Sequence, residues 1–216
     1  TSYQQARQVI DTTGGAYYAK LLEAKGITYL GSFHNGFRQL TNSKHPVTKP
    51  EDLKDLKIRV PGSAVYMGVF NALGASPTAM SWSEVFTAIQ QKTIDGQENG
   101  CSVTKSAKMD EIQQYMTIWN YSYENDLFVA NSRVWESLDE NTRQLLQECA
   151  TESCEWGRDH LEAEEDQLIQ GFMDSGMQVD ILTEDQLQAF KDAVAGVTAE
   201  LKTEYGEDAC AAFGIN

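Results

Sequence analysis

The last 139 positions of this chain contain no proline, and within them the run from Asp139 to about Ser175 carries a helical pattern from end to end. Proline removes a backbone donor and clashes with the preceding turn, so its absence leaves room for a long helix. The run opens on Ser137-Leu138-Asp139-Glu140-Asn141-Thr142, a good N-cap cluster, and Gly176 is a suitable stop. Between them Leu145, Leu146, Cys149, Trp156, Leu161, Leu168, Ile169 and Phe172 recur at three- and four-residue steps, with acids in the gaps. About 36 residues at 1.5 Å each exceed 50 Å, longer than the core of a small domain. The apolar spacing is too irregular for a strict heptad, so the helix is expected to run across two lobes.

The rest of the chain alternates helix and strand signals. Helices are expected over 16–25, 64–73, 83–91 and 184–205, and strands over 27–33, 57–60, 94–98, 116–119, 126–130 and 177–182. Such alternation predicts an α/β architecture with mainly parallel pairing. No segment approaches the roughly 20 apolar residues of a membrane-spanning helix. The opening Thr1-Ser2-Tyr3-Gln4 has no basic, then apolar, leader and reads as the middle of a longer protein, so a signal peptide is expected in the precursor.

Charge divides sharply along the sequence. Residues 1–120 hold 12 Lys+Arg against 10 Asp+Glu, whereas 121–216 hold 5 against 22. That acidity argues against nucleic acid and anionic membrane surfaces as partners, while the near-neutral first half remains able to hold an anion. Cys101, Cys149, Cys154 and Cys210 form no CxxC pair and have no histidine at metal-ligand spacing, so no metal site is expected. Buried free thiols are the expectation, with a single disulfide involving Cys101 or Cys210 as the alternative. His34, His45 and His160 lack an evident catalytic partner, and neither a Gly-x-Ser-x-Gly elbow nor a phosphate-cradling loop is present. No catalytic residue and no cofactor are predicted.

Two of the six arginines sit in unusual places. Arg38 follows Asn35-Gly36-Phe37, and Arg59 lies inside the apolar strand Lys57-Ile58-Arg59-Val60-Pro61. Alternation places Arg59 opposite Ile58 and Val60. It is either an exposed or ion-paired strand residue, or a guanidinium presented at a strand's C-terminal end, where open α/β sheets bind ligands and where its fork suits a carboxylate.

Longer motifs weigh on that choice. Asn35-Gly36-Phe37-Arg38-Gln39-Leu40-Thr41, then Pro50-Glu51-Asp52-Leu53 leading into Lys57-Ile58-Arg59-Val60-Pro61, resemble the solute-binding subunits of tripartite ATP-independent periplasmic (TRAP) transporters, the DctP-like family. Ala72-Leu73-Gly74-Ala75-Ser76-Pro77-Thr78-Ala79-Met80, Trp82 to Gln91, and Asp95-Gly96-Gln97-Glu98-Asn99 continue the resemblance at the family's spacing. It implies a two-lobed fold like that of periplasmic binding proteins, with a long helix spanning both lobes and an N-terminal lobe lacking about the first third. Residues 1–36 with 125–164 would form what remains of lobe I, and 37–124 with 165–216 lobe II. A ligand cleft would lie between them, hinged near residues 36 and 125.

By the same resemblance, Arg59 would pair with a substrate carboxylate, Arg38 would assist it, and Asn99 would hydrogen-bond the same group. Trp82 would shield the ion pair or simply pack in the core, and Tyr121 and Asn125 would lie within reach of the ligand. The family's proline after Asn99 is replaced by Gly100-Cys101, which loosens that loop. The implied function is non-catalytic. A periplasmic or extracytoplasmic protein would capture a small organic carboxylate, such as a C4-dicarboxylate or sugar acid, and deliver it to membrane permease subunits of a TRAP transporter. The full-length protein would be a monomer, with association possible for a fragment. Two other classes stay open: an interaction module with an acidic helical tail, and a hydrolase or lyase using Glu84 or Glu98 as base.

Overall fold

A computed structural model describes residues 2–215, which group into two compact units. The first comprises Thr1–Gly36, Tyr123–Glu164 and Tyr205–Asn216, and the second Phe37–Ser122 and Glu165–Glu204. The C-terminal segment from Tyr205 on thus groups with the first unit, whereas the sequence suggested the second.

The second unit is a sheet covered by helices. Its strands are the last part of β1 (Ile27–Asn42), β2 (Lys57–Val60), β3 (Ser76–Ala79), β4 (Gly96–Gly100), β5 (Tyr115–Ile118) and β7 (Gln178–Ile181), in the order β3-β2-β4-β1-β5-β7. β2 runs parallel to β3 and β4, and β5 parallel to β7, but β1 is antiparallel to both β4 and β5. The expected predominance of parallel pairs therefore fails at the centre of the sheet. Gly96 is required there: a Cβ would lie 2.2 Å from the Thr41 carbonyl oxygen. The helices are α3 (Ala64–Ala72), α4 (Trp82–Gln90), α5 (Cys101–Ser106) and α8 (Glu184–Ala193). Alternation sends Ile58, Val60 and Leu40 to one face, where they are buried with Phe70, Trp119 and Phe190. A second cluster gathers Val85, Ile89, Ile94 and Met109, and a third Met116, Phe172 and Met177.

The first unit is built differently. It holds α1 (Tyr3–Val9), capped by a Ser2–Gln5 capping box, a π-helical turn over Ile10–Gly14, α2 (Gly15–Glu23), the start of β1, its partner β6 (Tyr123–Asn131) and α6 (Ser132–Ser137). Gly36, at φ +97°, adopts a backbone conformation that other residues rarely take, and a Cβ there would lie 3.0 Å from the Tyr3 hydroxyl. A polar cluster around a buried histidine ties these elements together. The His34 ring, wholly buried, bonds the Tyr123 hydroxyl through Nδ1 (2.6 Å) and Glu162 Oε1 through Nε2 (2.9 Å). Glu162 also receives Arg7 Nε at 2.6 Å, and Arg7 Nη2 reaches Asp159 at 2.6 Å.

The long helix, α7 (Glu140–Asp174), has 35 residues and passes from the first unit into the second after Glu164. Its apolar positions do not form one buried stripe. Cys154 and Phe172 are buried, while Leu145, Leu146 and Trp156 are exposed. The C-terminal stretch is two helices, α8 and then α9 (Ala195–Ala212), and the latter kinks at Gly206. None of the four cysteines forms a disulfide among the described residues. Cys101 and Cys154 are buried as expected, but Cys149 is exposed. Burial pushes the Cys101 thiol up to about 12, which leaves it protonated and inert.

Candidate functional site

Three of the sequence-predicted residues of the second unit, Arg59, Trp82 and Asn99, lie at the C-terminal ends of β2, β3 and β4. Arg59 is 6% exposed, and its Nε and Nη2 both donate to the Met80 carbonyl at 2.9 and 2.8 Å. Met80 directly follows β3, the parallel neighbour of β2, so the strand that flanks Arg59 also supplies the acceptor that fixes its plane. Two residues on, Trp82 opens α4 and lays its ring 5.3 Å from Arg59 Cζ. An indole face against a guanidinium is attractive and excludes water from one side of the charge. Arg59 is therefore neither a surface residue nor a loosely held one.

The register sorts the remaining residues onto two faces. Arg59 stands opposite Gln97, and Gln97 and Asn99 lie two apart on β4, so all three share the face turned away from Ile58 and Val60. Gln39 joins them, paired across from Asn99. Asn99 is 6% exposed and accepts a hydrogen bond from the Gly100 amide at 2.9 Å. Gly100 then caps α5, so the two residues that replace proline end a strand and begin a helix.

Arg38 belongs to the other face, with Leu40 and Glu98. It is 3% exposed and grips Glu98 with Nε at 2.5 Å and Nη2 at 2.9 Å, while Nη2 also donates to the Glu98 carbonyl oxygen. The Tyr121 hydroxyl donates to the same carboxylate at 2.5 Å, and the Tyr66 ring lies 5.2 Å from Arg38 Cζ. Burial, then the Glu98 charge, holds the Tyr121 phenol well above its ordinary range, so it stays protonated as a donor. Strand geometry thus separates Arg38 from the Arg59 face and engages its fork with a fully buried carboxylate. The same pairing leaves Glu98 poorly suited to act as a base, and Glu84 is exposed in the first turn of α4. Asn125 lies in the first unit, on β6, with its Nδ2 buried and without a hydrogen-bond partner.

Sequence reading missed the polar layer that holds this face in place. Gln39 Oε1 accepts from the Trp119 and Asn120 amides at 3.0 and 3.1 Å, fixing the turn that leads to Tyr121. Gln97 donates to Thr41, and Thr41 to Gln113, all three buried. The available signal was polar residues at every second position, Gln39 and Thr41 on one strand and Gln97 and Asn99 on another. Among the described residues no group of three or more His, Cys, Asp or Glu is arranged to hold a metal ion.

Known proteins resemble this chain along almost its whole length. The family model for bacterial extracellular solute-binding proteins, family 7 (DctP), matches residues 1–204. The 2,3-diketo-L-gulonate-binding periplasmic protein YiaO of Escherichia coli is 32% identical over 91% of this chain and 59% of its own length. The C4-dicarboxylate-binding periplasmic protein DctP of Rhodobacter capsulatus is 31% identical over 97% and 63%. A TRAP periplasmic solute-binding protein of Ralstonia eutropha with bound (S)-2-acetolactate superposes with a TM-score of 0.95 at 32% identity, over 100% of this chain and 70% of that one. This chain therefore spans about three-fifths of the length of the curated relatives it matches. It belongs to the family of bacterial extracellular solute-binding proteins, family 7.

Proposed function

We propose that this chain is part of an extracytoplasmic, periplasmic protein that captures a small organic carboxylate and delivers it to the membrane permease subunits of a TRAP-type secondary transporter, catalysing nothing. The observation that carries this reading is Arg59. It is a nearly buried guanidinium at a strand's C-terminal end, fixed in orientation by the Met80 carbonyl and backed by the Trp82 ring. A planar fork so placed recognises a carboxylate, and in a dry setting the charge pair replaces hydration lost by the ligand. Asn99 shares the face and adds an amide. Trp82 and Arg59 form the inner part of the site, with Asn99 beside them, whereas Arg38 supports from the opposite face through Glu98 and Tyr121.

Structural relatives support the ligand class. Succinate, D-erythronate and galactonate are bound in solved structures 28–33% identical to this chain, and each carries a carboxylate. Isothermal calorimetry with succinate, D-erythronate, galactonate and (S)-2-acetolactate tests the assignment. Arg59→Lys keeps the charge and loses the fork, so affinity for whichever of these acids binds should fall at least tenfold, in line with about 2–5 kcal/mol for truncating one partner of a buried ion pair. Unchanged affinity in Arg59→Lys would remove Arg59 from the site.

A further inference from the structure

One buried cation of the first unit is only partly satisfied. Arg158, on α7, is 9% exposed, and among the described residues its one hydrogen-bond partner is Asp11, which accepts from Nη1 at 2.6 Å. Its Nε is closed off from water and makes no hydrogen bond. A buried donor left without an acceptor is costly, and such a group in a folded protein calls for an explanation. Arg158 lines a cleft of about 530 Å³, within the range of small-molecule sites. The cleft lies between the α1–α2 segment and α7, beside Tyr29, Gly31 and Ser32 of β1. All its lining residues belong to the first unit, so it shares none with the Arg59 site. One wall is the π-helical turn, whose Ile10, Asp11 and Thr12 line the cleft. Such turns are rare and recur at functional sites. Gly15 permits this one: a Cβ there would lie 2.4 Å from the Ile10 carbonyl oxygen, which accepts from the Gly15 amide.

We propose that this cleft binds a small neutral polyol, of the sugar or cyclitol class, through adjacent hydroxyls shared between Arg158 and Asp11. Charge argues for a neutral ligand. Asp11 already offsets Arg158 and Glu155 adds a second carboxylate to the lining, so an anion meets net repulsion, while a cation would compete with Arg158 for Asp11. The donors and acceptors fit hydroxyls. Arg158 only donates, Asp11 and Glu155 only accept, and the hydroxyls of Thr12, Tyr29, Ser32 and Thr151 do both. A ligand hydroxyl can accept from a guanidinium and donate to a carboxylate at once, so a pair of them bridges Arg158 and Asp11 and supplies the acceptor that Nε lacks. The Asp11 side chain is half exposed and so has room to turn toward the ligand. Ile10, Ala16 and Ala19 offer an apolar patch for the C–H face of a ring.

Polyols raise melting temperatures without binding, by exclusion from protein surfaces, so the readout must be local. The isotope-labelled chain is titrated with myo-inositol, D-glucose and D-ribose and followed by NMR. At least one of them should saturably shift the Gly15, Ala16 and Gly31 amides and the Arg158 Nε resonance, and leave Gly100, next to Asn99, unmoved. Ala16→Leu fills the cleft from an exposed position of α2 with a good helix former, and should weaken that binding at least tenfold with the thermal unfolding of the chain unchanged. Arg158→Lys keeps the cation and loses Nε, and should weaken binding too; if that variant does not fold, Ala16→Leu decides. Arg59→Lys should leave the shifts as they are, which separates this site from the carboxylate site. The proposal is overturned if none of the three gives a saturable shift, if the shifts arise at other residues, if Ala16→Leu binds as tightly as the wild type, or if Arg59→Lys abolishes binding. Succinate shifting the same amides in preference to all three polyols would overturn it as well, since the cleft would then be an anion site.

Discussion

The two units are made from one chain, and yet they are held together by opposite means. In the second, Leu40, Leu53, Ile58, Val60 and Phe70 are shut off from water around a six-stranded sheet, and the buried Arg38–Glu98 pair lies against the Tyr66 ring and the Tyr121 hydroxyl. In the first, a network of charges and hydrogen bonds links the buried His34 to the half-buried Arg7 and Glu162, and several large apolar side chains, Phe33, Phe128 and Trp156 among them, are exposed. Hydrophobic burial scales with apolar area removed from water, at roughly 25 cal/mol per Å², so the second unit has a source of stability that the first lacks. The contrast teaches that one chain can order one part of itself by apolar burial and another largely by charge-assisted hydrogen bonds.

That contrast can be broken or sharpened by experiment. Phe70 has no exposure and meets the rings of Trp119 and Tyr121 edge-on at 6.0 and 5.7 Å. Phe70→Ala should cost about 3–5 kcal/mol in urea unfolding, and a loss below about 1 kcal/mol would deny the second unit its dominant core. The next largest effect belongs to pH and to the first unit. Burial lowers the pKa of His34 below its ordinary 6.5, helped by Arg7 and Arg158 and opposed by Glu162. The unfolded chain therefore binds a proton more readily than the folded one, and this contribution is present above pH 6.5 and lost as pH falls through 6.5 toward the folded value. Protection factors of the β1 and β6 amides, which correct for the intrinsic pH dependence of exchange, should fall below that pH in the wild type, and with a smaller slope in His34→Gln; equal slopes would show that His34 is not the titrating group. Smallest is Leu145→Ser, which removes an exposed side chain and should change the stability of the chain alone by less than about 0.5 kcal/mol. A larger loss would mean that the outer face of the first unit is already covered.

Much of this was legible in advance, for identifiable reasons. The long helix and β2 carry strong periodic signals, and both lie within a residue or two of where the pattern put them. Arg59 stood out because a charge between Ile58 and Val60 has few destinations, and the structure shows it nearly buried with its plane fixed. The continuation of β1 from Phe33 to Asn42 was not visible, because Asn35-Gly36-Phe37-Arg38-Gln39 has no apolar alternation; its strand partner is polar as well, and the pair is buried by hydrogen bonding. β3 was hidden by Pro77, which is tolerated because β3 ends the sheet order and has one neighbour. Nor could periodicity reveal which apolar stripe of α7 would be covered, since that depends on what packs against it. The fate of Arg38 had the same cause: its partner Glu98 is 60 positions away in sequence.

β1 is early in the sequence and central in the sheet, and this has a kinetic consequence. Its two flanking partners, β4 and β5, come later in the chain and run antiparallel to it, with Thr41 and Gln113 joined across 72 positions. Closing loops of that length uses up chain entropy before any contact repays it, so folding of this unit is slow by topology. During synthesis, which proceeds from the N-terminus, the central strand must wait for residues beyond Tyr115 to emerge before both of its edges can be paired. Until then it is the strand with most to gain from a chaperone.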